Sequence, residues 1–75
     1  MEHYKNIGGD SDVSAYEISD ESIKVKFKDG CVYLYTYQSA GSANIERMKS
    51  FAAFGQGLNG FINKNVRKKY ASKRC

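Results

Sequence analysis

The stretch IKVKFKDGCVYLYTY, residues 23–37, decides the fold. Ile23, Val25 and Phe27 alternate with Lys24, Lys26 and Lys28 up to the pair Asp29-Gly30, beyond which Tyr33, Tyr35 and Tyr37 alternate with Val32, Leu34 and Thr36. Alternation at period two on both sides of an Asp-Gly pair predicts a β-hairpin. Two registers are open. A two-residue type I′ turn at Asp29-Gly30 pairs Phe27 with Val32; Ile23, Val25 and Phe27 then share an aliphatic face with Val32 and Leu34, and Lys24 and Lys26 share the other with Tyr33 and Tyr35. A three-residue loop, Lys28-Asp29-Gly30 with Gly30 left-handed, pairs Phe27 with Cys31 and moves the tyrosines to the core face. Purity of the pattern favours the first, and the lysine before Asp-Gly suits the second about as well.

Outward from the hairpin, VSAYEI at 13–18 reads as a third strand, joined to it by the polar cluster Ser19-Asp20-Glu21-Ser22. Downstream, Gln38-Ser39-Ala40-Gly41-Ser42 is a connection whose last serine is placed to cap a helix over 43–54, with Ile45, Met48 and Ala52 at helical spacing. Gly55-Gln56-Gly57 stops it. A second helix over 58–70 carries Leu58, Phe61, Ile62 and Val66 on one stripe and turns Asn63, Lys64, Arg67 and Lys68 to water. The expected fold is α+β: a three-stranded antiparallel meander followed by two helices packed on one face of the sheet. Residues 1–12 are expected to form a loose N-terminal segment, 13–70 a single domain and 71–75 a frayed basic tail.

At 75 residues the chain holds one small core, thin enough that a homo-oligomer is expected. With 41% hydrophobic and 27% charged residues it is an ordinary globular composition, and no apolar run is long enough to span a membrane. The N-terminus has no signal-peptide pattern, which points to the cytoplasm. Cys31 and Cys75 are too few and too far apart for a disulfide scaffold and are expected as free thiols. Charge is strongly polarised. Residues 1–40 carry four lysines against seven carboxylates, net −3; residues 41–75 carry eight cations against Glu46 alone, net +7. The basic half attracts a phosphate-bearing or acidic partner.

The landmarks Ile23-x-Val25-x-Phe27, Gly30, Tyr33-x-Tyr35, Phe61-Ile62-Asn63-Lys64-Asn65-Val66-Arg67 and Tyr70 resemble the KTSC domain, a short module named from the C-terminal region of some lysyl-tRNA synthetases and found free-standing in bacteria and phages. The resemblance covers about three quarters of the chain. It implies a meander packed by two helices, a link to RNA through the synthetase, and the second hairpin register. The chain departs from the family at Gly57 and Asn59, where a serine and a glycine are usual, and in lacking the proline-containing segment after the third strand.

Catalysis is not expected. The one histidine, His3, has no cysteine or carboxylate at ligand spacing, and no nucleophile–base pair stands out, so neither a metal nor another cofactor is implied. Two recognition candidates remain. Lys24 and Lys26 beside Tyr33 and Tyr35 would offer charge and stacking in the first register; Gly57 and Asn59 open a helix whose start can hold an anion, with Asn63, Arg67 and Lys68 following. Together these nine residues point to a binding module for a phosphate-bearing ligand, RNA or another nucleic acid. The alternative is a small phage or mobile-element homo-oligomer that sequesters a nucleotide-type signal or blocks a host defence protein.

Overall fold

The computed structural model describes residues 1–9 and 11–75, so Asp10 of the expected N-terminal segment lies outside the described residues. Five antiparallel strands pair in chain order: β1 Glu2–His3, β2 Val13–Ser19, β3 Ser22–Phe27, β4 Val32–Thr36 and β5 Ser72–Arg74. Between β4 and β5 come α1 Tyr37–Ala40, α2 Ser42–Phe54 and α3 Leu58–Phe61, the last continuing as a π-helical segment, Ile62–Val66. The α+β class stands as expected. The predicted meander is β2–β4, and the sheet gains an edge strand on each side from segments expected to be loose.

The hairpin adopts the second register. Phe27 N–H donates to the Cys31 carbonyl at 2.9 Å, and Val25 lies opposite Tyr33 and Ile23 opposite Tyr35. The turn chemistry decides this against the purer pattern. A type I′ turn needs positive φ at both Asp29 and Gly30, whereas only Gly30, at φ 93°, has it. Asp29 instead accepts from Cys31 N–H through Oδ1 at 2.9 Å, closing the three-residue loop. The expected face of Lys24 and Lys26 with Tyr33 and Tyr35 therefore does not form.

The core lies between the sheet and the helices. Ile23, Val25 and Tyr35 meet Ile45, Met48 and Ala52 of α2 and the row Leu58, Ile62 and Val66, all nearly inaccessible to solvent. Each such aliphatic side chain contributes roughly 1.5–3 kcal/mol on burial. Phe61, expected in the same stripe, is only half-buried and packs against Phe51 at 5.4 Å. The cap expected at Ser42 does not form, since Ser42 is already the first residue of α2, and the side-chain cap lies on the short helix before it. Thr36 Oγ1 accepts from Ser39 N–H and Ser39 Oγ from Thr36 N–H, both at 3.0 Å, so a reciprocal box starts α1. Gly41, with no side-chain bond, precedes α2.

Both chain ends correct the expectation of looseness. Tyr4 is 1% exposed. Its N–H donates to the Ser14 carbonyl at 3.0 Å and its hydroxyl accepts from Leu58 N–H at 3.3 Å, so the N-terminal segment plugs the seam between the sheet and α3. At the other end, Ala71 N–H donates to the Leu34 carbonyl, and Val32 pairs with Arg74 and Tyr33 with Lys73. One step further along this ladder Cys31 meets Cys75. The two form a disulfide rather than free thiols. The second helix also stops short of the predicted residue 70, because residues after Val66 turn back to enter β5.

Candidate functional site: a groove between hairpin and C-terminal helix

The odd-numbered residues of β3 and β4 face the helices, and one part of this seam is left open. A groove of about 340 Å³ runs there, lined by Phe27, Tyr33, Tyr35 and Tyr70, by Asn59, Ile62, Asn63, Arg67 and Lys68, and by Asp12 and Asp29. The helix wall follows from sequence spacing. Asn59, Asn63 and Arg67 step by four, one residue after the buried row Leu58, Ile62 and Val66, so they lie beside the core stripe and border the seam.

Its aromatic part is tightly interlocked. Tyr33 stacks on Tyr35 at 6.3 Å and meets the edges of Phe27 at 5.0 Å and Tyr70 at 5.1 Å. The Lys73 ammonium, delivered by β5, sits 5.3 Å from the Tyr33 ring centroid. Hydrogen bonding to the Tyr33 phenol raises the Lys73 pKa. Burial pushes the Tyr35 phenol up to about 12, with Tyr33 and Tyr70 adding to the rise, so Tyr35 is a neutral hydroxyl at physiological pH. Electrostatically the groove is two-ended. Asp12 and Asp29 sit by the hairpin loop, where Lys28 N–H donates to the Asp12 carbonyl, while Arg67 and Lys68 stand on the helix wall. Among the described residues no ion pair joins these two sets.

Of the nine residues singled out from sequence, six line this groove: Tyr33, Tyr35, Asn59, Asn63, Arg67 and Lys68. Gly57 lies just outside, beside a smaller hollow shared with Ser11, Asn59 and Gly60. Its left-handed φ of 93° shapes the turn between α2 and α3, and a Cβ there would come 3.1 Å from the Phe51 ring. The helix start is not an anion seat, because Leu58 N–H points inward to the Tyr4 hydroxyl and α3 proper is four residues long. Lys24 and Lys26 are on the opposite, open face of the sheet, where Lys24 approaches Glu17 at 3.9 Å.

Six contributors escaped the sequence reading of the site, Phe27 and Ile62 because it assigns them to the core faces of hairpin and helix. Tyr70 appears there as the last residue of the helix and as a landmark of the resemblance, and Lys73 only as part of a tail. Asp12 carries no signal beyond its charge, and Asp29 is read only as part of the turn. The fold and the groove together define a small α+β module with a polar-aromatic cleft at the sheet–helix seam. The chain matches no protein-family model, no curated protein and no solved structure. No described helix is long and apolar enough to cross a membrane.

Proposed function

We propose that the protein is a non-enzymatic binding module for a phosphate-bearing ligand, with single-stranded RNA as the ligand. The observation that carries this reading is the convergence of Asn59, Asn63, Arg67 and Lys68 with the tyrosine cluster on one groove. Arg67 and Lys68 would hold phosphate oxygens. Guanidinium and ammonium do this without regard to sequence, and the binding is therefore salt-sensitive. The amides of Asn59 and Asn63 and the carboxylates of Asp12 and Asp29 offer complementary partners to the polar edge of a base. The tyrosines act as a wall rather than as an open stacking platform. Tyr35 is 1% exposed and Tyr33 is covered by its aromatic neighbours and Lys73. The KTSC resemblance, with its synthetase link, supports RNA over other phosphate carriers, and the same reading puts the protein in the cytoplasm.

Titration of the purified protein with labelled single-stranded RNA at low and high salt tests this. Binding at low salt that weakens steeply with added salt is expected; no binding at low salt rejects the proposal.

A second reading, a homo-oligomer that sequesters a nucleotide-type signal, is favoured by two observations. The groove volume of about 340 Å³ lies near the lower end of small-molecule sites. Phe54 and Ile7 are 63% and 57% exposed and are brought together where Ile7 N–H donates to the Gly55 carbonyl. Native mass spectrometry separates the readings: an oligomer carrying a co-purified nucleotide supports the second, and a bare monomer that binds RNA supports the first.

A further inference from the structure

We infer that the Cys31–Cys75 disulfide is a redox latch for the groove: closed, it seats β5 and completes the wall; reduced, it releases the C-terminal segment and opens the site. What the latch does to a ligand rests on the binding role proposed above; the latch itself does not.

The argument starts from how little else holds the end of the chain. Residues 71–75 are all exposed and bury no side chain in the core. They are attached by the bond from Ala71 N–H to the Leu34 carbonyl, by the three-residue pairing of β5 with β4, by the Lys73 ammonium on the Tyr33 ring, and by the disulfide. A short exposed edge strand frays readily when nothing covalent holds it. Two groove elements depend on its path. Lys73 reaches the Tyr33 ring only from its position opposite Tyr33 in β5. Tyr70, the last residue before the segment, packs edge-on against Tyr33 at 5.1 Å and Tyr35 at 6.4 Å. The rest of the core does not depend on it: Ile23, Val25, Ile45, Met48 and Leu58 pack with no residue of 71–75 among them.

The chemistry is ordinary exchange with a dithiol reductant. A reductant thiolate attacks the sulfur of exposed Cys75, and the Sγ–Sγ bond breaks with Cys31 leaving as a thiolate that takes up a proton. The second reductant thiol, as thiolate, then displaces Cys75 and closes the reductant's own disulfide. The protein gains two electrons and two protons, and the reductant is oxidised by the same amount. Cys31 is 8% exposed, so the terminal sulfur is the one within reach. The bond also closes a loop across 44 residues of separation and stabilises the whole fold by restricting the unfolded chain. A lower Tm on reduction is expected on that ground alone and does not report the latch.

Hydrogen exchange by mass spectrometry, on the intact protein before and after dithiothreitol and on the Cys31→Ser/Cys75→Ser double variant, reads the latch directly. Expected is exchange in residues 71–75 and along the β5-facing side of β4 that rises about tenfold or more beyond the smaller, uniform rise that lost global stability brings to α2 and the β2–β3 pairing in the reduced and variant forms. Unchanged protection at β4, or a loss there no greater than in α2 and the β2–β3 pairing, overturns the latch. RNA titration of the same forms separates the two proposals. Roughly tenfold weaker binding on reduction supports gating, and equal affinity in both forms overturns it. No binding by the oxidised protein rejects the binding role, and hydrogen exchange still decides the latch.

Discussion

Val25 stands opposite Tyr33 in the β3–β4 ladder. That pairing sends every odd-numbered residue of the hairpin to the helix side and every even-numbered one to the open face, so the tyrosines border the groove while Lys24 and Lys26 are kept from it.

Two pairs of cations on opposite faces then allow a charge-matched comparison. Arg67→Gln with Lys68→Gln removes two charges from the groove wall, and Lys24→Gln with Lys26→Gln removes two from the open face. The first pair is expected to lower RNA affinity about tenfold and to reduce the salt slope by about 1.4, at about 0.7 for each single-strand phosphate no longer neutralised. The second pair is expected to change affinity less than about twofold. Fluorescence anisotropy over a salt series measures both, and equal losses in the two variants would place the ligand elsewhere.

What could be read in advance, and what could not, follows from the range over which each signal acts. The strand at 13–18, α2 and the buried row on α3 were legible because period two and period 3.6 are local properties of the chain. The register was not. Val32 and Leu34 serve an aliphatic face as well as Tyr33 and Tyr35 serve a core face, so hydrophobicity alone is nearly indifferent, and the deciding fact is the backbone angle at Asp29. Tyr4, β5 and the Cys31–Cys75 pair owe their places to partners 54, 38–42 and 44 positions away. No local pattern carries such pairings. Of the six site residues in the groove, Asn59, Asn63 and Arg67 reach it through the periodicity of their helix row, with Lys68 next to it, whereas the register brings Tyr33 and Tyr35 in and keeps Lys24 and Lys26 out.

Gly30 is the residue on which that register turns. At φ 93° a side chain is strained even though the space around it is open, and the left-handed conformation costs an ordinary residue roughly 1–2 kcal/mol. Gly30→Ala is expected to lower Tm by about 4–8 °C per kcal/mol in a domain of this size. Gly30→Asn, which tolerates left-handed backbone, is expected to lose less. Thermal melts followed by circular dichroism make the comparison, and an alanine variant as stable as the parent would contradict the turn.

Tyr4 tests the anchoring of the N-terminal segment. Its hydroxyl accepts from Leu58 N–H at 3.3 Å in a buried setting, so Tyr4→Phe keeps the ring against Tyr16 and strands one amide. The expected loss is about 1–3 kcal/mol. Tyr4→Ala, which also empties the ring's site, is expected to lose about 3–5 kcal/mol. Urea denaturation gives both values. A loose segment would give neither.

Alkaline pH probes the aromatic wall from inside. Folding raises the Tyr35 pKa from 10.0 to about 12, chiefly because burial disfavours the phenolate. The unfolded chain therefore gives up this proton first as pH climbs, and deprotonation favours unfolding. The contribution of Tyr35 to stability is complete below pH 10 and declines between pH 10 and about 12, by about 1.4 kcal/mol for each pH unit within that window. Lysine and exposed tyrosine titrations contribute to the same range, so the measurement is a difference. Tyr35→Phe, lacking the ionisable group, is expected to show a shallower fall in denaturant-measured stability across this window than the parent, while the two run parallel at lower pH. Parallel curves at every pH would mean that Tyr35 ionises in the folded protein as readily as in the unfolded one, and that the wall it forms is open to water.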